Sequence, residues 1–261
     1  MITRGTRGND AGTEAGTEAE AFELVRRHTV LSVVVGWVAS GLAEPTDHDL
    51  AGLAGGVTGP TSEESPVRGV FAPPTELFWR FVKPPATVGG PGQELWSWEV
   101  EAFCAAGLTA DPAVLDVLGS PLVQVSTPIG AELRELTVAF LSQRVADAYR
   151  RATATDFARA AAAMAAGGTP RWRQVAEVIR LLIIAETLLR SGKLRLDMSE
   201  HRDLLLAVRA GELPWPDTVE WVESLRDRSA EAVRHSPLPA RPNTAAVQNW
   251  LCSVRRRLLS D

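Results

Sequence analysis

The sequence predicts an α+β fold, with strands in the first half and a helical C-terminal half. Short, β-branched apolar runs bounded by Gly and Pro fall before about residue 126. Long stretches of helical apolar periodicity fill the chain from about Thr127 onward. A small, polar, Gly-rich start completes the division: a disordered tail over 1–20, a strand-bearing core over 21–125 and a helical domain over 126–261.

The repeated Ala-Gly-Thr-Glu of the start predicts disorder to about Ala19. A short helix follows, with Phe22, Leu24 and Val25 apolar and Arg26, Arg27 and His28 at its C-terminal end, where positive charge suits the helix dipole. Leu31-Ser32-Val33-Val34-Val35 reads as a buried strand stopped by Gly36. Residues 51–66, rich in Gly, Pro, Ser and Thr, read as a long loop. Val67–Ala72 is a second strand, ended by Pro73-Pro74, and Thr75 caps a helical turn reaching Phe81. A Pro/Gly segment over Lys83–Gly92 leads to a third strand, Glu94–Val100, which passes into a helix near Glu101–Gly107. Helices are expected at 130–150, 156–166, 172–190, 199–210, 215–234 and 243–259. Thr155, Ser199 and Asn243 are the expected N-caps, and Gly167-Gly168 and Gly192 the stops.

A net charge of -5 argues against a dedicated binder of duplex nucleic acid, which needs a basic surplus to displace counterions. Small substrates fit better. The two cysteines, Cys104 and Cys252, have neither disulfide-framework nor zinc-ligand spacing, which suits a reducing cytoplasm. Residues 1–21 lack the apolar core of a secretory signal. The apolar run Val30–Ala43 is too short to span a bilayer, so no membrane association is expected. No Ser/His/Asp arrangement, phosphate-binding P-loop or dinucleotide fingerprint is found. Arg255-Arg256-Arg257 reads as the positive end of a helix.

One phrase, Arg68-Gly69-Val70-Phe71-Ala72-Pro73-Pro74-Thr75-Glu76-Leu77-Phe78-Trp79, resembles the segment that follows the metal-binding carboxylates of predicted nucleotidyltransferases of the DNA polymerase beta superfamily. Lys83-Pro84-Pro85, Trp98-Glu99-Val100-Glu101-Ala102-Phe103, Asp111-Pro112-Ala113-Val114-Leu115, Ser120-Pro121-Leu122 and Pro170-Arg171-Trp172-Arg173 extend the likeness, as do Leu189–Leu194, Ala210–Leu213 and Ser236–Pro239. It runs from about residue 25 to the end. The resemblance implies a small mixed β-sheet flanked by helices, then a helical domain. It also implies a Gly-Ser pair at the nucleotide phosphates, and an Asp-x-Asp pair plus a third carboxylate holding two magnesium ions. Those residue types suit the chemistry: Mg2+ takes hard oxygen ligands, and alternate residues of a strand share a face. Two ions clamp the attacking and leaving oxygens.

Against that pattern, Gly36 stands at the family's Gly, but Trp37 replaces the Ser and has no hydroxyl to offer. The carboxylate pair can be read in two ways. Forward from Gly41-Leu42-Ala43, Asp47 and Asp49 form it, about His48; backward from Arg68-Gly69, it falls at Glu64 and Pro66, and Pro66 has no side-chain ligand. The plain structural reading of Asp47 and Asp49 is a solvated turn after Pro45-Thr46. Glu94 and Glu99 are the candidates for the third carboxylate, on opposite faces of a regular strand, with Glu94 preferred. Trp96 and Trp98 share the Glu94 face as core or as a base-stacking wall. Arg68, Arg173 and Arg180 are candidate phosphate contacts, the last two on one helix face, although Arg173 and Glu177 also make an i,i+4 pair.

The resemblance therefore implies Mg2+-dependent transfer of a nucleoside monophosphate from a nucleoside triphosphate to a small molecule or protein in the cytoplasm. The departures from the motif imply a second expectation, a repurposed fold. It would serve as a non-nucleotidyl enzyme of specialised metabolism, or as a binding or regulatory pseudoenzyme with a protein partner.

Overall fold

The computed structural model describes residues 10–43, 66–89 and 95–259. Its order is helix α1 (Asp10–His28), strand β1 (Thr29–Val34), a short helix α2 (Gly36–Ala39), β2 (Val67–Phe71), a 3-10 turn (Thr75–Trp79), β3 (Thr87–Gly89) and β4 (Leu95–Glu99). Then come α3 (Val100–Leu108), α4 (Pro112–Gly119), β5 (Val123–Ser126), α5 (Pro128–Glu135) and α6 (Thr137–Phe140). The rest is helical: α7 (Val145–Ala165), α8 (Trp172–Ser191), a 3-10 turn at Ser199–His201, α9 (Arg202–Ala210), α10 (Trp215–Arg234) and α11 (Thr244–Arg257). The expected α+β fold with its helical C-terminal half is what the structure has.

The five strands form one mixed sheet in the order β3-β4-β2-β1-β5. β2 and β4 run parallel, and the other neighbours are antiparallel. The β2–β4 register pairs Val67 with Leu95, Arg68 with Trp96, Gly69 with Ser97, Val70 with Trp98 and Phe71 with Glu99. Because side chains alternate across a strand, Val70 and Trp98 join the main core with β1 and the C-terminal helices, while Phe71 packs with Val25 of α1 and Val88 of β3 on the other face. At Gly69 the strands leave no room for a side chain: a Cβ would stand 2.7 Å from Ser97 Oγ.

The helical half is centred on α8, whose Val175, Ala176, Ile179, Leu182, Ile183, Ile184, Leu188 and Leu189 are all buried. That apolar width matches its place between α7, α9 and α10. Gly192, at φ 70, closes α8 in the left-handed conformation that glycine adopts without a Cβ clash. Asn243 caps α11, accepting from the Ala246 N–H at 3.0 Å, as expected. Among the described residues no single helix is long and apolar enough to cross a membrane.

Some expected boundaries move. Helix α1 begins at Asp10, inside the stretch assigned to a disordered tail. The helix expected over 130–150 is broken by the turn at Leu141–Arg144, whose Leu141 and Ser142 are buried, and α7 then runs unbroken past Thr155, the expected N-cap. Its Ala-rich sequence favours an unbroken helix there, and inside it the Thr153 hydroxyl bonds back onto the Tyr149 carbonyl at 2.9 Å. Thr75 is not the cap of its turn; its hydroxyl bonds the Arg255 carbonyl at 2.6 Å. Cys104 is buried and Cys252 exposed, neither in a disulfide, and burial pushes the Cys104 thiol up to about 12.

Candidate active site at the start of β2 and β4

The residues that the sequence singles out near Gly36 and Arg68 meet at one end of the sheet. Val35, leaving β1, donates its N–H to the Pro66 carbonyl at 3.1 Å, so the turn after β1 lies against the start of β2. Gly36 takes φ 78, a conformation that costs a side-chain-bearing residue about 1–2 kcal/mol. It lets the chain reverse into α2. β4 starts beside β2, on the side away from β1.

The turn is fastened from below. The Ser40 N–H bonds the Gly36 carbonyl at 3.1 Å, and the Leu42 N–H bonds the Trp37 carbonyl at 2.9 Å. Ser40 is fully buried; its carbonyl accepts from the Met198 N–H at 3.0 Å, and its hydroxyl from Arg180 Nη1 at 3.2 Å. Arg202 donates to the Gly41 carbonyl. Three segments of the helical half thus grip a turn of the sheet half.

Arg180 is the hub of that grip. Its guanidinium is 1% exposed and bonds Asp116 Oδ2 at 2.8 Å. It also holds Glu177 through two parallel bonds, Nε to Oε2 at 2.9 Å and Nη2 to Oε1 at 2.6 Å. Burial works against the Arg180 charge, and Asp116 and Glu177 more than offset it, so its pKa lies well above the ordinary value. Burial raises the Asp116 carboxyl against the opposing pull of Arg180 and Arg68. Two cations and two carboxylates therefore compensate one another beneath the turn. Glu177 pairs with Arg180, three residues along the same helix, through a bidentate fork. A phosphate contact by Arg180 would require it to leave both carboxylates.

Arg68 lies on β2 with its guanidinium 5.6 Å from the Trp96 ring and its Nη1 donating to the Val67 carbonyl at 2.9 Å. Burial pushes its pKa down to about 10, still well above neutrality, so the charge is kept. Trp96 and Trp98 lie together, with ring centroids 4.2 Å apart, on the Arg68 face. Trp98 is core, whereas Trp96 is half-buried at the edge of the site. Trp37 is 4% exposed, with the Arg209 guanidinium 4.8 Å over its ring, so this side chain fills the base of the turn instead of facing a ligand. Arg173 opens α8, one residue in from its N-terminal end.

The acids fare differently. Asp47, Asp49, Glu64 and Glu94 lie outside the described residues. Glu99 is buried at the far end of β4, with Arg255 2.9 Å away and its Oε2 accepting from the Glu101 N–H as the cap of α3. Burial raises its carboxyl, and Arg255 opposes that. Among the described residues no three His, Cys, Asp or Glu side chains come together to hold a metal ion. By themselves they do not make a two-magnesium site. Pro66, at the position given by the backward reading, offers only its carbonyl, and that is bonded to Val35.

The sequence did not single out Asp116 or Ser40. A signal for Asp116 was available: an acid inside the apolar helix Ala113-Val114-Leu115-Asp116-Val117-Leu118 must be buried or half-buried, and a buried carboxylate needs a cation.

Residues 54–248 match RlaP, the RNA repair pathway DNA polymerase beta family. No curated protein and no solved structure matches the chain. The match spans most of the sequence, including β2, the β2–β4 pair and Asp116, Glu177 and Arg180, and begins after the Gly36 turn and Ser40; the chain belongs to the RNA repair pathway DNA polymerase beta family.

Proposed function

We propose that this protein binds a nucleoside triphosphate over the Gly36 turn and transfers its nucleoside monophosphate to a terminal hydroxyl of an RNA strand, which attacks the α-phosphorus as the α–β phosphoanhydride breaks and pyrophosphate leaves. The observation that carries the reading is the seating of that turn against the start of β2 through Val35 and Pro66, beside parallel β4. This is the layout that polymerase beta-like nucleotidyltransferases need to bring a phosphate turn and acid-bearing strands together. The family's description supports RNA as the acceptor over the small molecule or protein suggested by the sequence alone. In this reading Arg180 acts as a positioning residue, holding Ser40 and hence the turn. Arg68 supplies positive potential at the start of β2, and Trp96 stands at the edge of the site where a base could stack. The ligands for divalent metal would come from Asp47, Asp49 and Glu94, with Glu64 as the competing position.

Specific observations favour a second reading, an eroded member of the family that binds without transferring. Trp37 stands where a hydroxyl is implied and is buried under Arg209. Pro66 stands where the backward reading places a carboxylate, and the matched segment includes Glu64 and Pro66 but begins after Asp49. The two readings separate in one assay. The protein is incubated with Mg2+, a short single-stranded RNA and each of the four α-labelled ribonucleoside triphosphates. Transfer predicts label covalently on the RNA, reduced at least a hundredfold by Asp47→Asn/Asp49→Asn if that pair is catalytic, or by Glu64→Gln if the backward reading holds. Absence of label with all four nucleotides would favour the eroded member.

A further inference from the structure

We infer that the loop Trp79-Arg80-Phe81-Val82-Lys83 is a docking platform for single-stranded RNA, an inference that rests on the RNA reading above and names where the strand is held. Three apolar side chains within four residues stand out of the surface: Trp79 is 71% exposed, Phe81 110% and Val82 86%. Large apolar groups grouped in this way on a surface mark interaction sites. Arg80 and Lys83 alternate with them and are exposed, and from Leu77 to Ala86 there is no acidic residue. In a chain of net charge -5 this segment is locally positive.

The platform is built and not merely loose. The 3-10 turn that ends in Trp79 is tied to the C-terminal end of α11: the Thr75 N–H bonds the Leu258 carbonyl at 3.0 Å and its hydroxyl bonds the Arg255 carbonyl at 2.6 Å. The Arg255 guanidinium lies 4.1 Å from the Phe78 ring, clamping the residue before Trp79. Pro73-Pro74 and Pro84-Pro85 bracket the loop, limiting the backbone freedom lost on binding.

Aromatic faces interleaved with cations are the chemistry of single-strand recognition: bases stack on the rings and phosphates meet the cations. A duplex keeps its bases stacked inside and gains only the charges. The loop follows the C-terminal end of β2, roughly 13 Å along the strand from its start.

The test is fluorescence anisotropy with an end-labelled single-stranded RNA of mixed sequence, without nucleotide or metal. The proteins are wild type, Trp79→Ala, Phe81→Ala and Arg80→Ala/Lys83→Ala, with far-UV circular dichroism confirming that these exposed substitutions leave the fold intact. Wild type should bind the single strand more tightly than a duplex of the same length. Each aromatic substitution should weaken binding roughly five- to hundredfold at unchanged salt dependence. The double basic substitution should lower the slope of log K against log salt by about 1.4. The inference is overturned by absence of RNA binding, by aromatic variants that bind as wild type does, or by equal binding of duplex. It is also overturned if the same substitutions abolish binding to anionic vesicles or self-association while RNA binding is unaffected. Because no nucleotide is present, RNA binding without transfer would sink only the transferase reading. Nucleotide binding without RNA binding would sink only the platform.

Discussion

Replacing Arg180 by Ala is expected to destabilise the protein by about 3–5 kcal/mol, because the substitution strips the buried Asp116 carboxylate of the cation it is hydrogen-bonded to. Asp116 is 7% exposed, its Oδ2 bonds Arg180 at 2.8 Å, and its Oδ1 has no hydrogen-bond partner. A large, fully buried side chain also disappears, leaving a cavity. Glu177, partly exposed, can rehydrate and contributes less to the loss. The pH dependence follows from the direction of the Asp116 shift. A carboxyl whose folded pKa is raised contributes stability below its unfolded pKa and loses it as pH rises through the folded pKa. Removing Arg180 raises the folded value further, so the gap between variant and wild type should be smallest in acid and widen toward neutrality. Urea unfolding at acidic and neutral pH measures this directly. Arg180→Met/Asp116→Leu should recover most of the loss, since apolar replacement of a buried pair is often neutral. A single-variant loss under about 1 kcal/mol at neutral pH would mean that the network is not the clamp described here.

Gly130→Ala is the other large effect expected. A Cβ at Gly130 would sit 2.1 Å from the Val30 carbonyl oxygen and 2.9 Å from its carbon, both backbone atoms of the sheet that no rotamer change can move. The same oxygen accepts from the Thr127 N–H at 2.9 Å and from the Thr127 hydroxyl at 3.2 Å, while that hydroxyl caps α5 by accepting from the Gly130 N–H at 3.3 Å. One methyl group therefore separates the helix from β1 and breaks its cap together. Overpacking of a tight core costs about 1–3 kcal/mol, and an N-cap about 1 kcal/mol more. Thermal and urea denaturation of the variant should show a loss of at least about 2 kcal/mol. A variant within about 0.5 kcal/mol of wild type would contradict the close seating of α5 on β1.

Much of the fold was legible because its strongest signals are local. β1, β2 and β4 are β-branched or aromatic runs stopped by Gly, Pro or a new helix, and α8 and α10 carry apolar periodicity over twenty residues each. β3 and β5, of three and four residues, are too short for alternation to stand out, and they exist because β4 and β1 pair with them. The break at Leu141–Arg144 was hidden by apolar residues that keep helical spacing across it. At the site, the Gly36 turn and Arg68 were legible through the resemblance, and the structure brings them together. The Arg180 clamp was not, because its partners lie 64 and 140 residues away and only packing unites them. The acids are ambiguous for a simpler reason. Spacing from Gly41 and spacing from Arg68 disagree, and the Gly- and Ser-rich residues between them carry no periodicity that would fix a register.

The most direct test of the central claim is calorimetric titration of ATP, GTP, CTP and UTP into the protein, with and without Mg2+. The account predicts saturable binding of at least one nucleotide to one site, strengthened by Mg2+ and weakened at least tenfold by Arg68→Ala. No heat from any of the four, with or without Mg2+, would contradict a nucleotide site at the Gly36 turn.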